Sequence, residues 1–276
     1  MPGVVPLELS VVVPALNERE NLGPLVRQVT AALEGVVRFE LIVVDDGSTD
    51  GTQRELLALL RREPRLRALS HARPAGQSAA IATGVTAARA PIVATLDGDL
   101  QNDPADLVRL HAAWLADPRR DEVGLVAGQR RMRRDSVAKR LSSRIANRVR
   151  RTLLRDDSAD SCCGLKLFPR ELFLTWPRFA GLHRFLPALA KGSGKRVLLV
   201  AVDHRPRAAG RTKYGIWNRL WVGIGDLLAL WWLLRRRRDP GAVTEGAIAA
   251  ASAGPESRGA PTRTTYAMSG PQLSDR

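Results

Sequence analysis

Short apolar runs alternate with helix-like segments between residues 7 and 127. Five runs rich in β-branched or other apolar residues predict buried strands, at 9–13, 39–44, 66–69, 91–96 and 123–128. Between them, apolar residues at helical spacing predict one helix that begins at Asn21 or Gly23-Pro24 and another that begins at Thr52. Alanine content predicts a third over 75–89, and a fourth is predicted over 104–115, with Pro104 in its first turn. Strands that alternate with helices in this way predict an α/β domain with a mostly parallel, doubly wound sheet.

Polar residues follow three of the predicted strands where each strand ends. These segments are Pro14–Glu18, Asp45-Asp46 with the turn that follows, and Asp97-Gly98-Asp99-Leu100-Gln101. Open α/β sheets bind ligands at the carboxyl ends of their strands, so we expect the three segments to meet at one edge. Paired carboxylates suit Mg²⁺, which prefers oxygen ligands and often shares them with a substrate's phosphates. The acidic segment therefore indicates either a metal–diphosphate site or a polar turn exposed to solvent.

The net charge of +15 indicates that the protein binds anionic partners. From Arg130 to Arg155 there are eleven Lys or Arg residues and one acid, and a block of four arginines, Arg235 to Arg238, follows the last strongly apolar segment. Such clusters suit diphosphates or an anionic lipid surface. Because no aromatic-interleaved motif accompanies the basic runs, we predict no nucleic-acid partner.

Two segments in the second half of the chain predict helices of ambiguous role. Residues 136–154 carry an apolar residue every fourth position among arginines, which suits either a helix packed on the domain or one at the membrane–water boundary. Residues 216–234 contain four tryptophans, but Asn218, Arg219 and Asp226 interrupt the roughly 20 apolar residues that a span requires. Spanning, lying on the membrane and docking on a membrane protein partner all remain open for that segment.

Both ends of the chain are poor in structural signals. Residues 239–276 are rich in small residues and proline, so we predict a disordered tail. The first residues lack a basic start and a long apolar run, which predicts no signal peptide and a cytoplasmic catalytic domain.

The strand-end motifs resemble family 2 glycosyltransferases with the GT-A fold. Val13–Glu18, 45–50 and 97–99 match the family's pattern, while 73–80 followed by Gly84 fills its Asn-x-Gly-x-x-x-Ala segment imperfectly. Further motifs resemble the polyprenyl-phosphate branch, of the dolichol-phosphate mannose synthase type, and they lie at 97–104, 128–130, 160–166, 205–207 and 210–215. The Gln-x-x-Arg-Trp segment of processive polysaccharide synthases is not found in this sequence. The resemblance covers about residues 7–220.

The resemblance implies an activity and a domain organisation. The enzyme would transfer a sugar, with inversion and with Mg²⁺ or Mn²⁺, from a UDP- or GDP-linked donor to a polyprenyl phosphate such as undecaprenyl phosphate. Residues 1–215 would form the catalytic domain and 216–238 a membrane-associating helix, placing the protein at the cytoplasmic face of the membrane, peripheral or weakly anchored. The alternatives are a family member with a polysaccharide or other non-lipid acceptor, and a non-enzymatic nucleotide-sugar sensor or nucleic-acid binder.

The resemblance also assigns candidate site residues. The metal ligands would be Asp97, Asp99 and Gln101, or Asp99 alone with Asp97 bonding ribose or backbone. The nucleotide-binding residues would be Pro14, Leu16, Asn17, Glu18, Asp45, Asp46, Gln77 and Asp97, with the alternative that Asp46 only caps the helix that follows it. The acceptor phosphate would be held by Arg130, Lys166, Arg205 and Lys213. Since that phosphate is already an anionic nucleophile, no strong general base is required.

Overall fold

A computed structural model of the protein describes residues 6–130, 163–205 and 216–236, with the side chains of 216–224 left outside the description. The chain forms two compact units, Met1–Trp232 and Leu233–Arg276. The predicted helix at 136–154, the predicted tail at 239–276 and Lys213 lie outside the described residues.

The described chain forms a sheet with helices between its strands. The strands are β1 (Leu9–Ala15), β2 (Phe39–Asp45), β3 (Leu66–Ser70), β4 (Ile92–Thr95), β5 (Val123–Arg130), β6 (Lys166–Pro169) and β7 (Arg196–Val202). The α-helices are α1 (Arg19–Leu33), α2 (Thr52–Leu60), α3 (Gln77–Ala87), α4 (Ala105–Ala116), α5 (Arg170–Leu174), α6 (Leu186–Gly192) and α7 (Ile216–Arg236).

The sheet has seven strands in the order β3-β2-β1-β4-β6-β5-β7. Every neighbouring pair is parallel except those of β6, which runs antiparallel to both β4 and β5. The prediction of a mostly parallel α/β sheet is therefore confirmed. Neither β6 nor β7 was among the predicted strands.

Helices cover the central strands, so β1 and β2 are buried along almost their whole length. α1 buries Leu22, Leu25, Val29 and other residues against the sheet. α3 packs close to β1, since a Cβ at Gly84 would lie 2.4 Å from Val12 Cγ1. This close approach fixes the position of α3, whose first residues reach the carboxyl edge of the sheet.

A buried carboxylate lies near the amino end of β2. Glu40 is 4% exposed and accepts hydrogen bonds from Ser10 Oγ (2.7 Å), Arg67 Nη1 (2.6 Å) and the Arg89 amide (2.6 Å). Burial alone would raise the pKa of Glu40, but these hydrogen bonds outweigh it and hold the pKa below its ordinary value. Glu40 thus ties β1, β2, β3 and the segment before β4 together.

Three predicted helix boundaries were wrong by two residues or more. α1 begins at Arg19, ahead of Asn21 and Pro24, because the Glu18 carbonyl already accepts hydrogen bonds from the Asn21 and Leu22 amides. α3 begins at Gln77 and ends at Ala87, not at 75 and 89. Gly76 precedes it with a φ of 96°, a conformation that breaks the helix and that glycine adopts without strain.

The segment at 216–234 lies in the helix α7. Leu230 is 2% exposed, whereas Leu228 and Trp232 are each 52% exposed. No helix within the described residues is both long and apolar enough to cross a bilayer.

Candidate active site

The loops after β1 and β2 are joined by hydrogen bonds through Asn17. Its backbone amide donates to Ser48 Oγ (2.8 Å), and its side-chain oxygen accepts from the Thr49 amide (2.8 Å). Asn17 has a φ of 52°, a left-handed conformation that asparagine tolerates better than most residues. A third hydrogen bond, from the Asp46 amide to the Ala15 carbonyl (2.8 Å), also links the two loops.

The loop after β4 lies against the first of these loops. A Cβ at Gly98 would lie 3.2 Å from the Pro14 carbonyl oxygen and 3.5 Å from Glu18 Cγ. The Glu18 amide donates to Thr52 Oγ1 (3.0 Å), and its carboxylate accepts from Asn21 Nδ2 (2.6 Å). Pro14, Leu16, Asn17 and Glu18 therefore lie at the edge where all three loops meet, as their order along the chain predicts.

Asp45 and Asp46 are both 3% exposed, and the structure gives them different partners. Asp45 Oδ1 accepts from the Ser48 amide (3.0 Å) and so shapes its own turn. Asp46 accepts from the Ala75 amide (2.8 Å), the Gly76 amide (2.7 Å) and His71 Nδ1 (2.7 Å).

The alternative role predicted for Asp46, capping the next helix, was wrong. Asp50 Oδ1 accepts from the Thr52 amide (2.9 Å) at the start of α2, while Asp46 holds the segment that leads into α3. Both carboxylate oxygens of Asp46 are thus bonded to residues that precede α3, and Asp50 bonds the first turn of α2. Asp46 therefore organises the segment that leads into α3, and its predicted contact with a nucleotide stays a prediction.

Asp97 is held from two sides. Gln77 Nε2, at the start of α3, donates to Asp97 Oδ1 (2.9 Å). On the other side the backbone of Gly164 approaches so closely that a Cβ there would lie 2.1 Å from Asp97 Oδ2. Thr95 Oγ1 donates to the Gly164 carbonyl (2.7 Å), which fixes that backbone against β4.

The environment of Asp97 is electrostatically unusual. Burial and the negative charge of Asp99 raise the pKa of Asp97 to about 6, against the opposing effect of Lys166, Arg130 and the Gln77 hydrogen bond. A cation would offset both the burial of Asp97 and the repulsion from Asp99, so the site is a favourable place for one.

Asp99 and Gln101 lie in a tight bend after β4. Asp99 is 9% exposed, and its Oδ1 accepts from the Gln101 amide (3.2 Å). Leu100 between them has a φ of 60°, which is rare for a large side chain and marks local strain. Gln101 Nε2 lies 3.5 Å from His204 Nε2, so the segment after β7 also reaches this bend.

The predicted phosphate-binding cations occupy different positions. Lys166 is 2% exposed, donates to the Cys163 carbonyl and lies opposite Thr95 in the sheet. Arg130 ends β5, and both cations lie close enough to Asp97 to affect its pKa. Arg205 instead pairs with Asp103 and donates to Gln28 Oε1 (2.9 Å). Its role toward an acceptor phosphate stays a prediction.

The residues fit a divalent cation in part. Among the described residues, no cluster of three or more His, Cys, Asp or Glu side chains could enclose a metal ion. Asp97, Asp99 and Gln101 offer hard oxygen ligands on one bend, and a Mg²⁺ or Mn²⁺ ion commonly takes its remaining ligands from substrate phosphates and water. These three oxygen ligands therefore suit a metal ion that is also bound by a diphosphate.

Sequence reasoning missed three residues of this site. His71, Gly164 and His204 approach it from segments far from the acidic bend along the chain. Gly164 alone carried a signal, since it lies in one of the motifs of the polyprenyl-phosphate branch. The two histidines are isolated in the sequence, and only the fold reveals their partners.

Comparisons with known proteins agree with this geometry. The sequence model described as Glycosyl transferase family 2 matches residues 10–175. The chain is 37% identical over 240 residues to dodecaprenyl-phosphate galacturonate synthase from Rhizobium johnstonii, a match covering 85% of this chain and 70% of the relative. It is 34% identical over 210 residues to undecaprenyl-phosphate 4-deoxy-4-formamido-L-arabinose transferase from Salmonella gallinarum, which covers 75% of this chain but only 62% of that relative.

Solved structures support the fold. Glucosyl-3-phosphoglycerate synthase from Mycobacterium tuberculosis, in complex with Mg²⁺ and UDP, superposes with a TM-score of 0.63 at 20% identity, covering 94% of this chain and 87% of that chain. The same enzyme with Mn²⁺, UDP and glucosyl-3-phosphoglycerate gives a TM-score of 0.58 at 23% identity, covering 87% and 84%. The fold predicted from the motifs, GT-A, is confirmed.

Proposed function

The chain belongs to glycosyl transferase family 2 and is a glycosyltransferase, and we propose that it transfers a sugar from a nucleotide diphosphate sugar to a polyprenyl phosphate. The names of the two sequence relatives support a lipid phosphate as acceptor. The observation that carries the proposal is the pair Asp97 and Asp99 at the meeting point of three strand-end loops, with Lys166 and Arg130 beside it.

The loops after β1 and β2 form the donor side in this proposal. Asn17 and Ser48 join them, and Asp45 and Asp46 shape the wall at which base and ribose would bind. A divalent cation bound by Asp97, Asp99 and Gln101 would neutralise the leaving diphosphate. Gln77 holds Asp97 in the orientation that this binding requires.

The acceptor phosphate would bind on the side of Asp97 where Arg130 and Lys166 lie. An oxygen of the lipid phosphate attacks the anomeric carbon, the bond from that carbon to the diphosphate breaks, and the nucleoside diphosphate leaves with the electron pair. The configuration inverts because the displacement is in line. No proton has to be removed from an ionised phosphate, so cations such as Arg130 that orient it suffice.

A lipid acceptor requires access to a membrane, and α7 supports this. Leu228 and Trp232 are one helical turn apart and half exposed, whereas Leu230 faces the interior. A tryptophan beside an exposed leucine on a helix suits the interface of a bilayer. We propose that the protein lies on the cytoplasmic face of an anionic membrane through this surface.

A transfer assay tests the proposal. The purified chain, residues 1–276, is incubated with undecaprenyl phosphate, Mg²⁺ or Mn²⁺, and in separate reactions UDP-galacturonate, UDP-glucose, UDP-GlcNAc or GDP-mannose. We expect one donor to add the mass of its sugar to the lipid, as read by mass spectrometry, and EDTA to abolish the product.

Two variants sharpen that assay. Asp99→Asn keeps the shape of the side chain but removes its charge, so we expect it to lose metal-dependent transfer while its melting temperature stays near that of the wild type. Asp121→Asn, an exposed carboxylate before β5, is the matched control and should keep full activity. Full transfer by Asp99→Asn would contradict the metal assignment. Nucleotide binding without any lipid product would instead favour a non-lipid acceptor.

A further inference from the structure

A short turn before α6 contacts both α7 and the start of α3. The turn contains Gly181, with a φ of 85°, and one turn of 3₁₀-helix at Leu182–Arg184. The family motifs discussed above do not include it. Its side chains nevertheless lie against the residue that follows Gln77.

The contact with α3 is made by His183. Its Nδ1 lies 2.8 Å from Ser78 Oγ, and its backbone amide donates to the same oxygen at 3.4 Å. Ser78 is 7% exposed, so this pair is shielded from bulk water. Two contacts from one residue fix the first turn of α3 in place.

The first turn of α3 also carries Gln77, which is the hydrogen-bond donor to Asp97. Gln77 is the neighbour of Ser78, and its Nε2 donates to Asp97 Oδ1 at 2.9 Å. The helix begins directly after Gly76, so His183 is a tertiary anchor at the end of α3 that faces the acidic pair. A displacement of Ser78 would move Gln77 and release Asp97.

The other side of the turn touches α7. A Cβ at Gly181 would lie 2.8 Å from Asp226 Oδ2. Burial raises the pKa of Asp226, and Arg184 lies close enough to oppose that rise in part. Phe179 and Phe185 pack with ring centroids 6.0 Å apart and close the base of the turn. α7 thus supports the turn from outside while His183 contacts α3 from within.

We propose that His183 is a positioning residue for sugar transfer, which holds Ser78 and thereby keeps Gln77 on Asp97. The inference rests on the proposed function, because Asp97 is taken there as part of the donor site. His183 itself touches no substrate. It sets the affinity for the metal–nucleotide part of the donor and leaves the acceptor side unchanged.

The test measures donor binding and turnover separately. Binding of UDP, or of GDP if UDP does not bind, is titrated by calorimetry in the presence of Mn²⁺ with the wild-type chain, His183→Ala and His183→Asn. We expect the dissociation constant and the donor KM to rise about tenfold in His183→Ala, the size expected for one lost hydrogen bond. The KM for undecaprenyl phosphate should not change.

Conservative and matched variants separate positioning from simple destabilisation. Asn presents a polar atom close to the place of Nδ1, so His183→Asn should recover most of the nucleotide affinity. Ser78→Ala should reproduce the effect of His183→Ala, and the double variant should be no worse than either single one. His111→Ala, on α4 and close to Glu8 ahead of β1, is the matched histidine control and should leave nucleotide affinity unchanged.

The melting temperature and the dissociation constant together separate a positioning role of His183 from a role in stability alone. A role in stability alone would lower the melting temperature of His183→Ala but leave the dissociation constant of the folded fraction unchanged, and this result would overturn the inference. If His183→Ala does not fold, the same comparison is made with Ser78→Ala. If wild-type protein binds neither UDP nor GDP with Mn²⁺, the proposed function falls and this inference falls with it.

Discussion

The backbone of Gly164 faces the carboxylate of Asp97 so closely that a Cβ at residue 164 would lie 2.1 Å from Asp97 Oδ2. A carboxylate is the flexible end of a side chain, so it would rotate away from an added methyl group while the sheet stays intact. Gly164 therefore keeps open the space in which Asp97 meets Gln77.

Gly164→Ala should inactivate the enzyme without unfolding it. The displaced carboxylate would lose its hydrogen bond to Gln77 and its place beside Asp99, and we expect transfer to fall about 100-fold, a loss typical of a misplaced catalytic group. Steady-state kinetics and thermal melting check this. Gly225→Ala is the matched control, since no described atom outside its own stretch of α7 lies within 4 Å of its Cβ position. Wild-type kinetics in Gly164→Ala would contradict the packing described.

Gln77→Ala should weaken donor binding, and Gln77→Glu should make donor binding more dependent on metal. The alanine removes the hydrogen bond to Asp97, whereas glutamate places a third carboxylate next to Asp97 and Asp99, which repels the diphosphate until a cation is bound. At the low metal concentrations of a competitive titration, we expect the affinity for UDP with Mn²⁺ to fall about tenfold for alanine. Gln53→Glu, exposed on α2, controls for the added charge. If all three variants bind UDP with Mn²⁺ as tightly as the wild type does, Gln77 is not needed for donor binding.

Asp46→Asn should destabilise the fold as well as impair the donor side. An asparagine amide group would face a backbone N–H donor where the carboxylate now accepts from Ala75, Gly76 and His71. We expect a loss of about 2–3 kcal/mol in the free energy of unfolding, measured by urea denaturation. A variant of unchanged stability that loses only nucleotide binding would favour direct contact with the nucleotide.

The pH dependence of stability should include a contribution from Glu40. Its folded-state pKa lies below the unfolded value, so its stabilising effect is present at pH values above the unfolded pKa and is lost as the pH falls through the folded one. Glu40→Gln should therefore cost about 2 kcal/mol at pH 7 and much less at pH 3. Urea denaturation at both pH values measures this, with the exposed Glu20→Gln as control. A cost that is the same at both pH values would contradict the role of the charge.

Much of the catalytic edge could be predicted from local sequence. β1, β2 and β4 are apolar runs that end in polar residues, and parallel strands necessarily bring such ends together. Gln77 was assigned to the nucleotide by the family resemblance alone, and its hydrogen bond to Asp97 was not predicted. The assignments made from the motifs, such as metal binding by Gln101, remain predictions.

Other parts could not be predicted in this way. β6 has only four residues, begins with a lysine and ends with a proline, so its own pattern is weak, and only pairing with β4 and β5 makes it a strand. β7 has seven residues, of which the last six are apolar, so it carries an ordinary strand signal and was simply not predicted. The bond between Asp46 and His71 joins residues 25 positions apart, and no local pattern indicates it.

The direction of β6 has a consequence for how a shift of one strand affects the others. Because β6 is antiparallel, the residues that precede it, Cys163 to Leu165, arrive at the same edge as the ends of β4 and β5. Both Arg130 and Gly164 are thus anchored at this edge by the sheet. A substitution that slides β6 along its neighbours would therefore change the surroundings of Asp97 on two sides at once, through the backbone of Gly164 and through the end of β5.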